Sequence, residues 1–350
     1  MEPSSRMFNF TVPCSTIPPA TSRADLKYGP VGSPPMYVGG NLGRFSPARS
    51  YWNATVPGGL KDVTRATRWT TTAPSKWRVH AYHPDAWGNW GFAVADYDAG
   101  TDTMTFARGG NQEARGGGNR MGARYFGGML EELDSHGEFF YDRPGNRLHW
   151  SPPANFGVPS TATKLVVARL DRLIEVTGTS LQTPATDIAL AGLTMQHTVP
   201  TFCCEYPYES VSGGDWSIHR GGMVFFENAT NSQLAGCLLD APGGNGVFLN
   251  GHNRGLQIVR NEVRNAGDSL IAAVGITREM DGRALTYPWN NTFSYNHLHD
   301  WGVWGKQSSA FFAGMTRELI FDHNIVYNGP RAGMCVHCLY QSVSLAYSIA

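Results

Sequence analysis

The feature that most constrains this chain is a repeat with a fixed polar register. Residues 234–240, 258–264, 293–299 and 321–327 share one plan. In the last three, an Asn is followed two positions later by an aliphatic residue. The register positions are Cys237, Asn261, Asn296 and Asn324, separated by 24, 35 and 28 residues. Each segment follows a second short apolar run, at 222–226, 246–249, 270–274 and 310–313. The unit reads as strand, turn, strand, turn, and its unequal spacing suits a solenoid, where insertions project from the stack without disturbing the ladder. In a parallel coil, equivalent residues stack about 4.8 Å apart. An inward Asn at a bend can then bond its neighbours above and below, together with turn backbone, so that no polar group is buried alone. No helical periodicity of ten or more residues separates the strands between Met223 and Asn328, which excludes an alternating α/β fold.

The fold class expected is therefore all-β: a right-handed parallel β-helix, or solenoid, over residues 161–333, with an N-terminal all-β accessory region over 63–160. Residues 187–197 read as an earlier rung, and 163–175 as the start of the stack. Residues 1–62 are Pro-, Ser- and Gly-rich and read as irregular. Residues 137–142 and 147–150, joined by a Pro-Gly-Asn turn, form a β-hairpin signal. Residues 334–350 read as a divergent tail.

Composition narrows the function. With 28 basic and 28 acidic residues the formal charge is zero, so nucleic acid is not an expected partner. No apolar run reaches the length of a membrane span. Six cysteines, with Cys203 and Cys204 adjacent, do not form a disulfide framework. Cys335 and Cys338 make half a zinc site, and His80 and His83 lack a third ligand, so no metal and no cofactor is expected. Gly243-Gly-Asn-Gly246 lacks the Lys-Ser/Thr of a phosphate loop. Sequons at Asn9, Asn53, Asn228 and Asn290 are compatible with a secreted glycoprotein, although no signal peptide is visible.

Several segments, among them 109–116, 130–142, Gly213-Gly-Asp-Trp216, Gly267-Asp-Ser269, Lys306-Gln-Ser-Ser309 and 328–333, resemble a family of right-handed β-helix proteins of the pectin-lyase-like superfamily. These are similar to bacterial β-helix glycoside hydrolases. The resemblance implies a monomeric, secreted protein that acts on a polysaccharide or oligosaccharide. Relatives have a longer N-terminal part and further rungs after the position of Gly333, so the chain reads as truncated at both ends.

Polar residues just before the first strand of each rung are the natural place for chemistry. Arg220, Asn245, Asp268, Lys306 with Gln307, and Arg331 are expected to stack as a polar column. Glycoside hydrolysis needs two carboxyls. Asp268 is the first candidate and Asp215, beside a sugar-stacking Trp216, the second; Glu227 and Asp300 read as solvated turn residues. A polysaccharide lyase is the alternative, with Lys306 or Arg331 as base. Arg220, Asn245, Gln307 and Trp216 are candidate substrate contacts. A carbohydrate-binding protein without turnover is a third reading.

Overall fold

A computed structural model describes residues 6–9, 53–55, 77–82, 89–98, 103–109, 124–133, 136–201, 219–276, 282–337 and 346–348. The chain divides into two units, one of residues 1–167 with 203–206 and one of 168–202 with 207–350.

The first unit holds two antiparallel sheets. Arg6–Asn9, Arg147–Trp150 and Phe139–Asp142 make one; Asn53–Thr55, Thr103–Gly109, Asn89–Asp98, Arg78–Tyr82 and Arg124–Gly127 make the other, in those spatial orders. The expected hairpin is present, with Phe139 opposite Trp150 and Asp142 opposite Arg147. Its turn places Asn146 at φ 49°, and the Tyr141 hydroxyl donates to Asn146 Oδ1 at 2.7 Å. Asn tolerates this left-handed conformation better than most residues do.

The second unit is a parallel β-helix of three sheets stacked in register, as the repeat requires. Sheet S1 carries the longer strands Val224–Thr230, Val247–Arg254, Ile271–Val274, Ser309–Gly314 and Ala332–His337. Sheet S2 runs Ala189–Ala191, Gln233–Ala235, Gln257–Val259, Thr292–Ser294, Ile320–Asp322 and Ala346–Ser348. Sheet S3 runs Thr194–Gln196, Leu238–Asp240, Glu262–Arg264, His297–His299 and Ile325–Tyr327. The stack begins at Ile174–Thr177, which pairs with Val224–Thr230; residues 163–173 form no strand. Parallel pairing continues past Gly333, through Ala332–His337 and Ala346–Ser348.

The rung has three strands rather than two. Each seven-residue segment breaks in the middle at one residue of positive φ: Gly192, Gly236, Arg260, Tyr295 and His323, at 50–66°. A single left-handed residue turns the corner without a loop, so the apolar pattern runs on through it. The S1–S2 corner is made in the same way by Asp187, Asn231, Gly255, Asn290 and Glu318, and a left-handed residue such as Asn265 or Asp300 also ends each S3 strand. Placing an L-residue there costs roughly 1–2 kcal/mol, and the ladder behind it holds it in place.

The ladder lies directly after the S2–S3 corner. Asn261 Oδ1 accepts from Cys237 N at 2.9 Å, Asn296 Oδ1 from Asn261 N at 3.0 Å, and Asn324 Oδ1 from Asn296 N at 2.8 Å. Each side-chain amide also donates to a carbonyl of the rung before: Leu234, Ile258 and Phe293, at 2.8–2.9 Å. Cys237 takes the same place with sulfur. Its Sγ accepts from Leu193 N at 3.4 Å and lies 3.8 Å from Leu190 O. The thiol is free and buried.

The interior is apolar, with Phe226, Phe293 and Phe311 fully buried among Leu234, Ile258 and Leu298. S1 is apolar on its outer face too: Phe225, Phe248, Ala272 and Phe312 stack in register there, and the Arg172 guanidinium lies 4.0 Å from the Phe225 ring centre. No helix among the described residues is long and apolar enough to cross a membrane.

Replacing Asn296 with Ala orphans the Asn261 amide and the Ile258 carbonyl in the core. At about 1–3 kcal/mol for each orphaned group, Asn296→Ala is expected to lose several kcal/mol in urea unfolding, with an unchanged m-value.

Candidate active site

The connections from S3 back to S1 form a third corner, and they are longer than the other two. Residues 241–246, 265–270 and 300–308 lie there as successive layers. Main chain packs directly on main chain. Gly267 N donates to Pro242 O at 2.8 Å and Asp268 N to Gly244 O at 3.1 Å; Gly302 N donates to Asp268 O at 3.0 Å and Gly305 N to Gly267 O at 2.8 Å. A Cβ on Gly267 would fall 2.0 Å from Gly243 O, and one on Gly243 would fall 2.2 Å from Val199 O. The glycines are required by this close approach.

These layers enclose Asp268, whose residue surface is 1% exposed. Among the described residues, neither carboxyl oxygen has a hydrogen-bond partner. Burial pushes its pKa up to about 8, and the nearby Ser269 amide offsets this only in part. An ionised carboxylate without a partner is very costly in such surroundings, so the group is held as a neutral acid at pH 7. In the next layer Lys306 is buried and its ammonium donates to Gly302 O at 2.8 Å and Val303 O at 3.1 Å. Beside it Gln307 is buried, and among the described residues neither of its amide atoms has a partner, nor does the buried Ser309 hydroxyl. Among the described residues, the corner thus gathers a protonated acid, a cation held by carbonyls, and two polar side chains with unused bonding capacity. Perturbed acids grouped with unpaired polar groups are typical of functional sites.

The expected polar column is only partly assembled. Asp268, Lys306 and Gln307 share the third corner. Asn245 is nearby but fully engaged: its Nδ2 donates to His219 O and Gly221 O, and its Oδ1 accepts from Ser269 N at 3.1 Å. It is a rung of a third-corner ladder. Arg220 turns instead toward S1, donating to Asn250 Oδ1 at 2.7 Å and Gly275 O at 2.8 Å. Arg331 is exposed. Offset from the stacked strands does not sort these residues: Asp268 and Arg331 both stand three before their stacked positions, Ile271 and Met334, and Arg220 and Gln307 both stand four before theirs, Val224 and Phe311. Arg220 is drawn out of the column by its partners on S1. Glu227 is half-buried on its S1 strand, and Asp300 accepts from His299 Nδ1 at 2.7 Å. Asp215 and Trp216 lie outside the described residues.

A second group was not singled out in the sequence. On the outer face of S3, Glu262, His297 and His299 present ligand atoms within 4.8 Å of one another. The signal was the His-x-His alternation at 297 and 299, which puts both rings on one face of a strand, while the carboxylate comes from the neighbouring rung.

No protein-family model matches the sequence, and no curated protein matches it. A solved structure described as "Glycoside hydrolase" superposes on this chain with a TM-score of 0.61 at 13% identity. The likeness covers 81% of this chain and 54% of that one, so the chain spans about half of that protein's length. At this identity the likeness is one of fold. The class defined here is a parallel β-helix of the kind seen in a glycoside hydrolase, with a buried acid at its third corner.

The folded chain holds the Asp268 proton to about pH 8, whereas the unfolded chain releases it near 3.8. The native state therefore binds more protons in between, and stability falls as pH rises through that window. Urea midpoints for the wild type are expected to drop between pH 4 and pH 8 by more than those of Asp268→Asn, which lacks the titrating group. Parallel pH dependences in the two proteins would contradict this assignment.

Proposed function

We propose that the chain is a carbohydrate-active enzyme of glycoside-hydrolase type, with Asp268 as its general acid and an extracellular polysaccharide or oligosaccharide as substrate. The observation that carries this reading is the carboxyl of Asp268, buried, unpartnered and raised to about 8. Protonating a glycosidic oxygen requires a carboxylic acid that is still protonated near neutral pH. The glycoside-hydrolase fold of the structural neighbour supports the same class. Hydrolysis also requires a second carboxylate, and Asp215 is the candidate for that role. Gln307 and Ser309, with unused hydrogen-bonding capacity at the same corner, would bind sugar hydroxyls or ring oxygens.

Hydrolysis is favoured over the lyase reading by the state of the charged groups. A lyase needs a base near the α-proton of a uronate. Asp268 is protonated at neutral pH and is no base, and the Lys306 side-chain nitrogen is engaged by Gly302 O and Val303 O. A guanidinium such as that of Arg331 stays protonated.

The test is incubation with a panel of plant and algal polysaccharides, followed by assays for reducing ends and for the absorbance of unsaturated uronate. Reducing ends without that absorbance are expected, with activity falling as pH rises past about 8. Asp268→Asn should lower the rate by about 10²–10⁴-fold, the usual contribution of a positioned acid. An unaffected rate would remove Asp268 from catalysis. Retention on a glycan column with no product from any substrate would make the chain a binder.

A further inference from the structure

We infer that the outer face of S3 carries a zinc site formed by Glu262, His297 and His299. The site is separate from the third-corner acid and does not depend on the hydrolase reading. Glu262 and His297 are direct partners across adjacent S3 strands, and His299 lies two residues along on the same face. Parallel pairing therefore fixes the three Cα positions within one patch, and the side chains already converge. His299 Nε2 lies 3.4 Å from Glu262 Oε1, and the His297 and His299 ring centres are 4.4 Å apart. Zinc bonds of about 2.0–2.1 Å in tetrahedral geometry put ligand atoms roughly 3.3 Å apart. One edge of that tetrahedron is already present, and the third donor is within 4.8 Å.

The surroundings orient the ligands as a metal centre requires. The other nitrogen of His299, Nδ1, is 2.7 Å from Asp300 Oδ2. A carboxylate there fixes the tautomer and directs the Nε2 lone pair toward the metal position. The His299 ring is stacked on Tyr327 with an interplanar angle of 2°, and the Tyr327 hydroxyl lies 3.0 Å from His297 Nε2. The rung after His297–His299 thus steadies both histidines. Arg264 Nη1 donates to the same Glu262 oxygen, Oε1, at 2.6 Å, and Arg264 is tied in turn to Asp240. Two imidazoles with one carboxylate select zinc over calcium or magnesium, which take oxygen donors. Three protein ligands leave the fourth position for water.

The experiment uses the full chain, stripped with a chelator and then freed of it. Zinc is titrated in calorimetrically, and cobalt(II) is used as a visible-absorption reporter. One zinc per chain is expected, with cobalt bands typical of nitrogen and oxygen donors. His297→Gln and Glu262→Gln should each abolish tight binding. Asp300→Asn, which leaves all three ligands in place, should weaken it by about 10- to 100-fold. Circular dichroism melts confirm that each variant is folded; His297 and Glu262 face outward and are only partly buried. Cys335→Ser with Cys338→Ser should change nothing. The inference is overturned if the stripped chain takes up no zinc at micromolar concentration. It is also overturned if zinc binding survives in His297→Gln and Glu262→Gln, or if cobalt gives a thiolate charge-transfer band that the cysteine variants remove.

Discussion

The structure depends on how a buried main chain is satisfied at a corner that has no loop. A rung that turns on a single left-handed residue leaves an amide and a carbonyl pointing inward, where no water reaches them. The side chain of the next rung supplies both missing partners. Asn296 accepts from Asn261 N and donates to Ile258 O, and Asn324 repeats the pattern one rung later. Each rung is therefore completed by its successor. This explains why the register is exact where connection lengths are not, and why left-handed Arg260, Tyr295 and His323 are tolerated. Cys237 can hold the same position because a thiol both accepts and donates, over the longer distances sulfur needs.

The third corner is built differently, and the difference is where the candidate chemistry lies. Its outer layers are glycine-rich main chain in contact with main chain, and its ladder runs from Asn245 through Ser269 to Ser309. Bonding at this corner is incomplete among the described residues: the Ser309 hydroxyl has no partner there, nor do the Gln307 amide and the Asp268 carboxyl. Buried polar groups left unpaired destabilise a fold. Among the described residues, five of the nine such side-chain atoms lie on Asp268, Gln307 and Ser309 at this corner, which is consistent with a site kept for a ligand rather than for stability.

The fold was legible because it is written as a repeat. Asn261, Asn296 and Asn324, each beside an apolar run, specify a parallel coil without any comparison to known proteins. The third strand of each rung was not legible: residues 258–264 look like one apolar strand, and only the positive φ of Arg260 divides them. Single non-glycine residues at φ near 55° leave no reliable mark on a sequence. The site was legible in part. Asp268 stood out by its place before a strand, and Lys306 and Gln307 joined it. Arg220 did not, because its guanidinium bonds Asn250 and the Gly275 carbonyl on S1, and Arg331 is exposed; a position before a strand reveals neither. The Glu262–His297–His299 group was hidden for a related reason, since its members come from rungs 35 residues apart and meet only once Glu262 and His297 are paired.

That the third corner holds Asp268 as a neutral acid is tested most directly by the carboxyl resonance of Asp268, followed by carbon-13 NMR through a pH titration and assigned by its loss in Asp268→Asn. A midpoint near 8 is the result this structure predicts. A midpoint near 4, the ordinary range for an aspartic acid, would show that the carboxyl is ionised at neutral pH and that the corner is not the site of a buried acid.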